Sequence, residues 1–116
     1  MVTKGIRGAI TVESNTIEAI KASTMELLSK MIEVNGIEIC KISHVIFTLT
    51  NDLNAAFPAK FARENMGFSE TAMMCFHELH VPGALPKCLR ILIVYNCDLE
   101  FKPEFVYLKG ASKLRK

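Results

Sequence analysis

The run "KCLRILIVYN", Lys87 to Asn96, constrains this chain more than any other stretch. Successive residues of a strand point to opposite faces, and Cys88, Leu89, Ile91, Leu92, Ile93 and Val94 put apolar side chains on both of them. Such a strand belongs inside a sheet that is covered front and back. Arg90 stands in the middle of it, and a guanidinium cannot shed its charge. Burying it without a partner would cost on the order of several kcal/mol, so an anionic group has to lie close by.

The other segments supply cover for one face. "GIRGAITVE", Gly5 to Glu13, reads as a strand whose two glycines let another element approach its backbone, with Arg7 between them. "NTIEAIKASTMELLSKMIEVNG" reads as an amphipathic helix. Asn15 followed by Glu18 matches a capping box, Ile17, Ile20, Thr24, Leu27, Leu28 and Met31 form one stripe, and Asn35-Gly36 is a stop signal. "HVIFTLT" (residues 44–50) is a second strand. After the turn residues "NDLN", "FPAKFAREN" starts a short helix with Pro58 in its first turn, closed by Gly67. "TAMMCFHELHV" and "KCLRILIVYN" are strands on either side of "PGALP", and "EFVYL" is the last. This order predicts one α+β domain over residues 1–116, a mixed β-sheet with helices packed on one face. In so short a chain, cover for the other face is expected from a second subunit.

Composition narrows the function. Charged residues are 22% of the chain and apolar ones 50%, as in ordinary globular domains. The formal net charge of +2 is spread along the chain apart from the tail "KGASKLRK", which leaves no footprint for a nucleic-acid partner. No apolar stretch approaches the roughly 20 residues that cross a bilayer, and "MVTKGIRGAITVE" lacks the apolar segment of a secretory signal. A cytoplasmic location without a membrane partner is expected. Cys40, Cys75, Cys88 and Cys97 form no CxxC pair and are read as reduced thiols.

The partner expected for Arg90 is Glu78. Both are equidistant from Ala84, so a hairpin turning about "PGALP" would set them side by side. That spacing fits a structural ion pair as well as a functional one. The supply of further cations favours function: Arg7 lies on the first strand, and Lys60 and Arg63 lie three apart on one face of the short helix. One glutamate cannot neutralise four cations. Where they converge an anionic ligand is required, and the guanidinium fork favours a carboxylate or a phosphate. Taken alone, Lys60 and Arg63 also fit a solvated helix face. No phosphate loop of P-loop or Rossmann type is present. Cys75, His77, His80 and Cys88 match no zinc spacing, and alternation sends Cys75 and His77 to one face of a strand and His80 to the other, so no metal is expected. Cys75 as a nucleophile would need an oriented base, and only His77 is available.

Four separated segments, "GIRGAITVESNT", "TLTNDLNAAFPAKFAREN", "MCFHELHVPGALPKCLRILI" and "VYLKGASKLR", resemble the AroH-type, monofunctional chorismate mutase family over nearly the whole chain. The resemblance implies a homotrimer arranged as a pseudo-α/β-barrel, with active sites in clefts between subunits. It also implies the Claisen rearrangement of chorismate to prephenate, in phenylalanine and tyrosine biosynthesis, with no cofactor. By position, Arg7, Glu78, Arg90 and Tyr107 resemble the polar pocket residues of that family, with Cys75 beside them. Phe57, Ala59, Lys60 and Arg63 resemble the group contributed from the adjacent chain, and Leu114 and Arg115 the tail that closes over the site. Met74, also assigned to substrate binding, stands where the family pattern has threonine, and one residue is missing before "EFVYL". Two other functions share the cationic cleft. One is a non-catalytic trimeric module that binds a carboxylate metabolite. The other is a deaminase of reactive enamines and imines, which leaves "FPAKFAR" and the Glu78–Arg90 pairing unexplained.

Overall fold

Arg90 sits at the centre of a five-stranded mixed sheet. The structure, a computed structural model, describes residues 1–114. Its strands are β1 (Val2–Thr11), β2 (Ile42–Leu49), β3 (Ala72–His77), β4 (Cys88–Cys97) and β5 (Val106–Leu108), and its helices are α1 (Ile17–Asn35) and α2 (Pro58–Asn65). Short 3-10 helices at Ile39–Lys41 and Lys109–Lys113 precede β2 and follow β5. The strand order is β3-β2-β4-β1-β5. β4 runs antiparallel to both neighbours, while β3 adds to β2 and β5 to β1 in parallel.

β3 and β4 are therefore not a hairpin. β2 lies between them, and the equal spacing of Glu78 and Arg90 about Ala84 has no bearing on how they meet. A parallel β2–β3 pair requires a long crossover, and the segment containing α2 supplies it. The strand predicted to run to Val81 ends at His77, although the Glu78 amide still donates to the Leu49 carbonyl at 2.8 Å.

One sheet face is the core. Ile6, Ile10, Val45, Phe47, Leu89, Ile91 and Ile93 pack beneath Ile20, Leu27, Leu28 and Met31 of α1 and Phe61 and Ala62 of α2, and all are nearly or fully buried. Each of these side chains larger than alanine contributes about 1.5–3 kcal/mol relative to exposure. On the opposite face Arg7, Ile46, Thr48, Leu92 and Val94 remain partly accessible, with no second layer over them among the described residues.

Two details of α1 differ from expectation. Its N-cap is Thr16, whose Oγ1 accepts from the Ala19 amide at 3.1 Å. The residue three beyond the cap is then Ala19, so no reciprocal glutamate closes a capping box. Asn15 instead uses Oδ1 to accept from the Asn54 and Ala55 amides at 2.9 and 3.0 Å, tying the segment before α2 to the start of α1. Ile17 also falls outside the core stripe and is 54% exposed. The stop signal holds, because Gly36 caps α1 with φ 58°, a left-handed conformation in which glycine is unstrained. Among the described residues no helix is long and apolar enough to cross a membrane.

Close approach of α1 to β1 leaves no room for a side chain at Gly8 unless α1 side chains shift. A Cβ there would lie 2.5 Å from Met31 Sδ and 3.1 Å from Leu27 Cδ1, both on buried side chains. Gly8→Ala should lower stability by about 1–3 kcal/mol, read as a lower urea midpoint at unchanged slope. Gly5→Ala, whose Cβ would meet only Leu92 Cδ1 at 3.4 Å, should cost clearly less, and equal losses would show that helix–strand contact is not the cause.

Candidate active site

Cross-strand register gathers the polar groups into one row on the uncovered face. Tyr107 of β5 is opposite Ala9, Ala9 opposite Arg90, Arg90 opposite Thr48, and Thr48 opposite Phe76, two residues before Glu78. Arg7 lies in the adjacent row, opposite Leu92. Together Arg7, Thr48, Glu78, Arg90, Leu92 and Tyr107 line much of a cleft of about 320 Å³.

Within it, Arg90 donates from Nε to Glu78 Oε2 at 2.7 Å and from Nη2 to Oε1 at 2.5 Å, a two-point fork. The Thr48 hydroxyl donates to the same Oε2. The Glu78 carboxyl is held below the usual carboxylate range, chiefly by the Arg90 hydrogen bond. Burial opposes this, while the Thr48 hydroxyl and the charges of Arg90 and Arg7 reinforce it. Glu78 retains 16% side-chain exposure and Arg90 41%. Among the described residues only Nε and Nη2 of Arg90 are engaged, so the other end of the guanidinium is free to donate. The Tyr107 hydroxyl is buried with no partner among the described residues. An unmet buried hydroxyl costs about 1–3 kcal/mol, which a ligand acceptor would remove. Two guanidinium groups thus share a cleft with one carboxylate, leaving an excess of positive charge.

A second, separate concavity of about 250 Å³ lies at the β3 edge, lined by Phe57, Ala59, Lys60, Arg63, Met73, Met74 and Cys75. Pro58 opens α2, Phe61 and Ala62 face the core, and Lys60 and Arg63 remain exposed. Phe57 is 72% and Met74 61% exposed.

Cys75 belongs to this second group rather than beside Glu78 and Arg90. It pairs in register with the buried Phe47, so alternation turns it toward the helices and away from the face that carries Arg90. Burial pushes its thiol up, and a hydrogen bond from the Ala59 amide offsets that only in part. His77 Nε2 donates to the Leu53 carbonyl at 3.1 Å, so its imidazole is occupied away from the thiol. Leu114 packs with Leu85 and Tyr107 against Ala9, Cys88 and Ala111, next to the first cleft. Arg115 lies outside the described residues. Thr48 went unnoticed in the sequence; its signal is a hydroxyl at the position of β2 that alternates with the buried Phe47 and Leu49.

A family model described as chorismate mutase type I matches residues 3–116. Two curated relatives are named chorismate mutase AroH. That of Thermus thermophilus is 46% identical over 114 residues, covering 97% of this chain and 93% of the relative. That of Bacillus subtilis is 38% identical over 116 residues, covering 99% and 91%. A solved chorismate mutase from Clostridium thermocellum has a TM-score of 0.91 and 50% identity, covering 96% of this chain and 99% of that one.

The lowered pKa of Glu78 links the site to stability. Its contribution is complete above the ordinary carboxylate range and is lost as pH falls through that range toward the folded value. Between about pH 6 and about pH 3 the urea midpoint of the wild type should fall more steeply than that of Glu78→Gln. Parallel profiles would mean that the fork contributes nothing to folding.

Proposed function

The chain belongs to the chorismate mutase type I family, and on that premise we propose that its two concavities are halves of one active site, joined between neighbouring subunits of a homotrimer. The protein is a chorismate mutase, an isomerase that converts chorismate to prephenate in aromatic amino acid biosynthesis. One observation carries the proposed site. Among the described residues, Glu78 takes one side of the Arg90 fork and leaves the remaining donors free, in a cleft shared with Arg7 and a Tyr107 hydroxyl that has no partner there.

The reaction breaks the bond between the ring and the ether oxygen while the enolpyruvyl methylene carbon joins the ring. It is intramolecular and pericyclic, so the protein contributes by holding the reactive conformer and by stabilising charge that grows on the ether oxygen. Arg90 donates to that oxygen, where the interaction strengthens only as the bond breaks. Arg7 and Tyr107 hold a substrate carboxylate. Glu78 accepts from the substrate hydroxyl and keeps the Arg90 fork in place; a carboxylate is tolerable near a dianion because cations outnumber it. Lys60 and Arg63, from the adjacent subunit, draw the dianion in, while Phe57, Met74 and Leu114 exclude water.

The trimer rests on surface chemistry. The first cleft opens on a sheet face bearing Ile46, Leu92 and Val94, and the second lies at the β3 edge. These are different patches, which supports head-to-tail contact between copies; closing that contact as a ring under a threefold rotation gives the pseudo-α/β-barrel that the family resemblance implies. Each edge covers the open face of the next subunit and buries the otherwise exposed Phe57.

Purified protein should consume the enolpyruvyl ultraviolet absorption of chorismate, and Arg90→Lys should lower kcat by on the order of 10²–10³, because an ammonium cannot hold Glu78 and donate to the ether oxygen with the same fork. Near-wild-type turnover in Arg90→Lys would remove that residue from the mechanism. Sharing of sites is read by mixing Arg90→Ala with Lys60→Ala/Arg63→Ala under subunit exchange. Random assembly pairs two intact halves in about a quarter of the sites, so activity should rise well above either variant alone, in a particle of about 39 kDa. No gain in the exchanged mixture would confine the site to one chain.

A further inference from the structure

Asp52 lines neither half of the proposed site, yet its carboxylate closes the loop on which Glu78 and Arg90 depend. That loop leaves β3 at Glu78 and enters β4 at Cys88, two residues before Arg90. At its end Lys87 has φ 47°, left-handed backbone that a residue with a Cβ rarely adopts. The Asp52 carboxylate meets it directly. The Lys87 amide donates to Oδ2 at 3.0 Å and to Oδ1 at 3.2 Å, and the Thr50 hydroxyl donates to Oδ1 at 2.5 Å. Thr50 Oγ1 in turn accepts from the Cys88 amide at 3.0 Å, and the Thr50 amide donates to the Cys88 carbonyl at 3.0 Å. On the far side the Lys87 carbonyl accepts from Val12 at 2.7 Å. Two consecutive amides at the entry to β4 are thus held by one carboxylate and the hydroxyl it orients.

Arg90 and Glu78 gain little from being present if they are misplaced, since their fork must present its free donors to a small part of the substrate. A return of Lys87 to ordinary extended backbone would redirect the entry to β4 and swing the loop that begins at Glu78. We propose that Asp52 is a positioning residue for the rearrangement: it holds Lys87 in the left-handed conformation and thereby aligns Arg90 with Glu78. The role rests on the chorismate mutase reading given above. The carboxyl of Asp52 is held below its ordinary range, first by the Thr50 hydroxyl and also by the Lys87 amide, with burial opposing, so the anchor is anionic at neutral pH.

Steady-state kinetics on full-length protein, well below the unfolding temperature, tests this with a cycle of variants. Asp52→Ala should lower kcat by roughly tenfold or more with KM changed by less than about threefold, because misplacement acts on the transition state more than on binding. Asp52→Asn, which keeps one oxygen acceptor, should lose less. Lys87→Gly alone should behave as wild type, and in the Asp52→Ala background it should recover most of the lost kcat, because glycine adopts φ 47° without an anchor. Loss of stability alone would lower Tm without this rescue. An Asp52→Ala enzyme with wild-type kcat, or a double variant no faster than Asp52→Ala, overturns the positioning role. If Asp52→Ala does not fold, Asp52→Asn with and without Lys87→Gly gives the same comparison: rescue supports the role and its absence refutes it. A wild-type protein that leaves chorismate intact refutes the underlying function and the positioning role with it, whereas active wild type beside unaffected Asp52 variants refutes the latter alone.

Discussion

The pairing of Glu78 with Arg90 is the constraint on which the rest of the molecule turns. A permanent cation on the central strand demands an opposite charge within hydrogen-bond reach, and both carboxylate oxygens are committed to it. The pair lies on the uncovered sheet face rather than in the core, where desolvation would be far more severe. It is partly wet, consistent with 41% exposure of the Arg90 side chain, and so retains donors for something outside the chain. The same two residues therefore hold the strand's charge balance and leave it incomplete.

Sheet order follows from the scarcity of cover. Two helices can bury one face of five strands, and they do so with a single contiguous apolar core. The other face carries apolar side chains among its cations; Leu85, Ala111 and Leu114 cover Ala9 and Cys88 at one end of it, while Arg7, Ile46, Thr48, Leu92 and Val94 have no second layer over them within the described residues. A cleft on that face and a second concavity at the β3 edge are complementary in kind: one offers Arg7, Arg90 and the Tyr107 hydroxyl, the other Lys60, Arg63 and the exposed Phe57 ring. The proposed trimer answers both shortages at once, since it covers apolar surface and completes the binding site in one contact.

Placement of the site also depends on backbone that few residues adopt. Lys87 and Lys109 both have positive φ, at 47° and 53°, and both lie where the chain turns beside the open face. Each has outside support. Lys87 is gripped through its amide by Asp52, and Lys109 pairs with Glu26 at 3.5 Å while the next amide, of Gly110, donates to Thr11 Oγ1 at 2.9 Å. From that second turn the chain brings Leu114 onto Tyr107 and Leu85. The loop and the tail thus meet beside Tyr107, next to the row of polar groups.

The sequence by itself determined the element types, the helix-bearing face, the need for an anion beside Arg90 and the family, because alternation, caps and fixed charge are properties of short segments. It also paired Arg90 with Glu78, though through a hairpin that does not exist. Only the tertiary structure decided that β2 separates β3 from β4, that Thr48 donates to the Glu78 carboxylate of the pair, that Cys75 turns toward α2, and that Asp52 reaches Lys87 across 35 residues. Strand order and face follow from which edges and apolar surfaces remain free once the helices have packed. That is a competition among distant segments, and no local pattern of residues records its outcome.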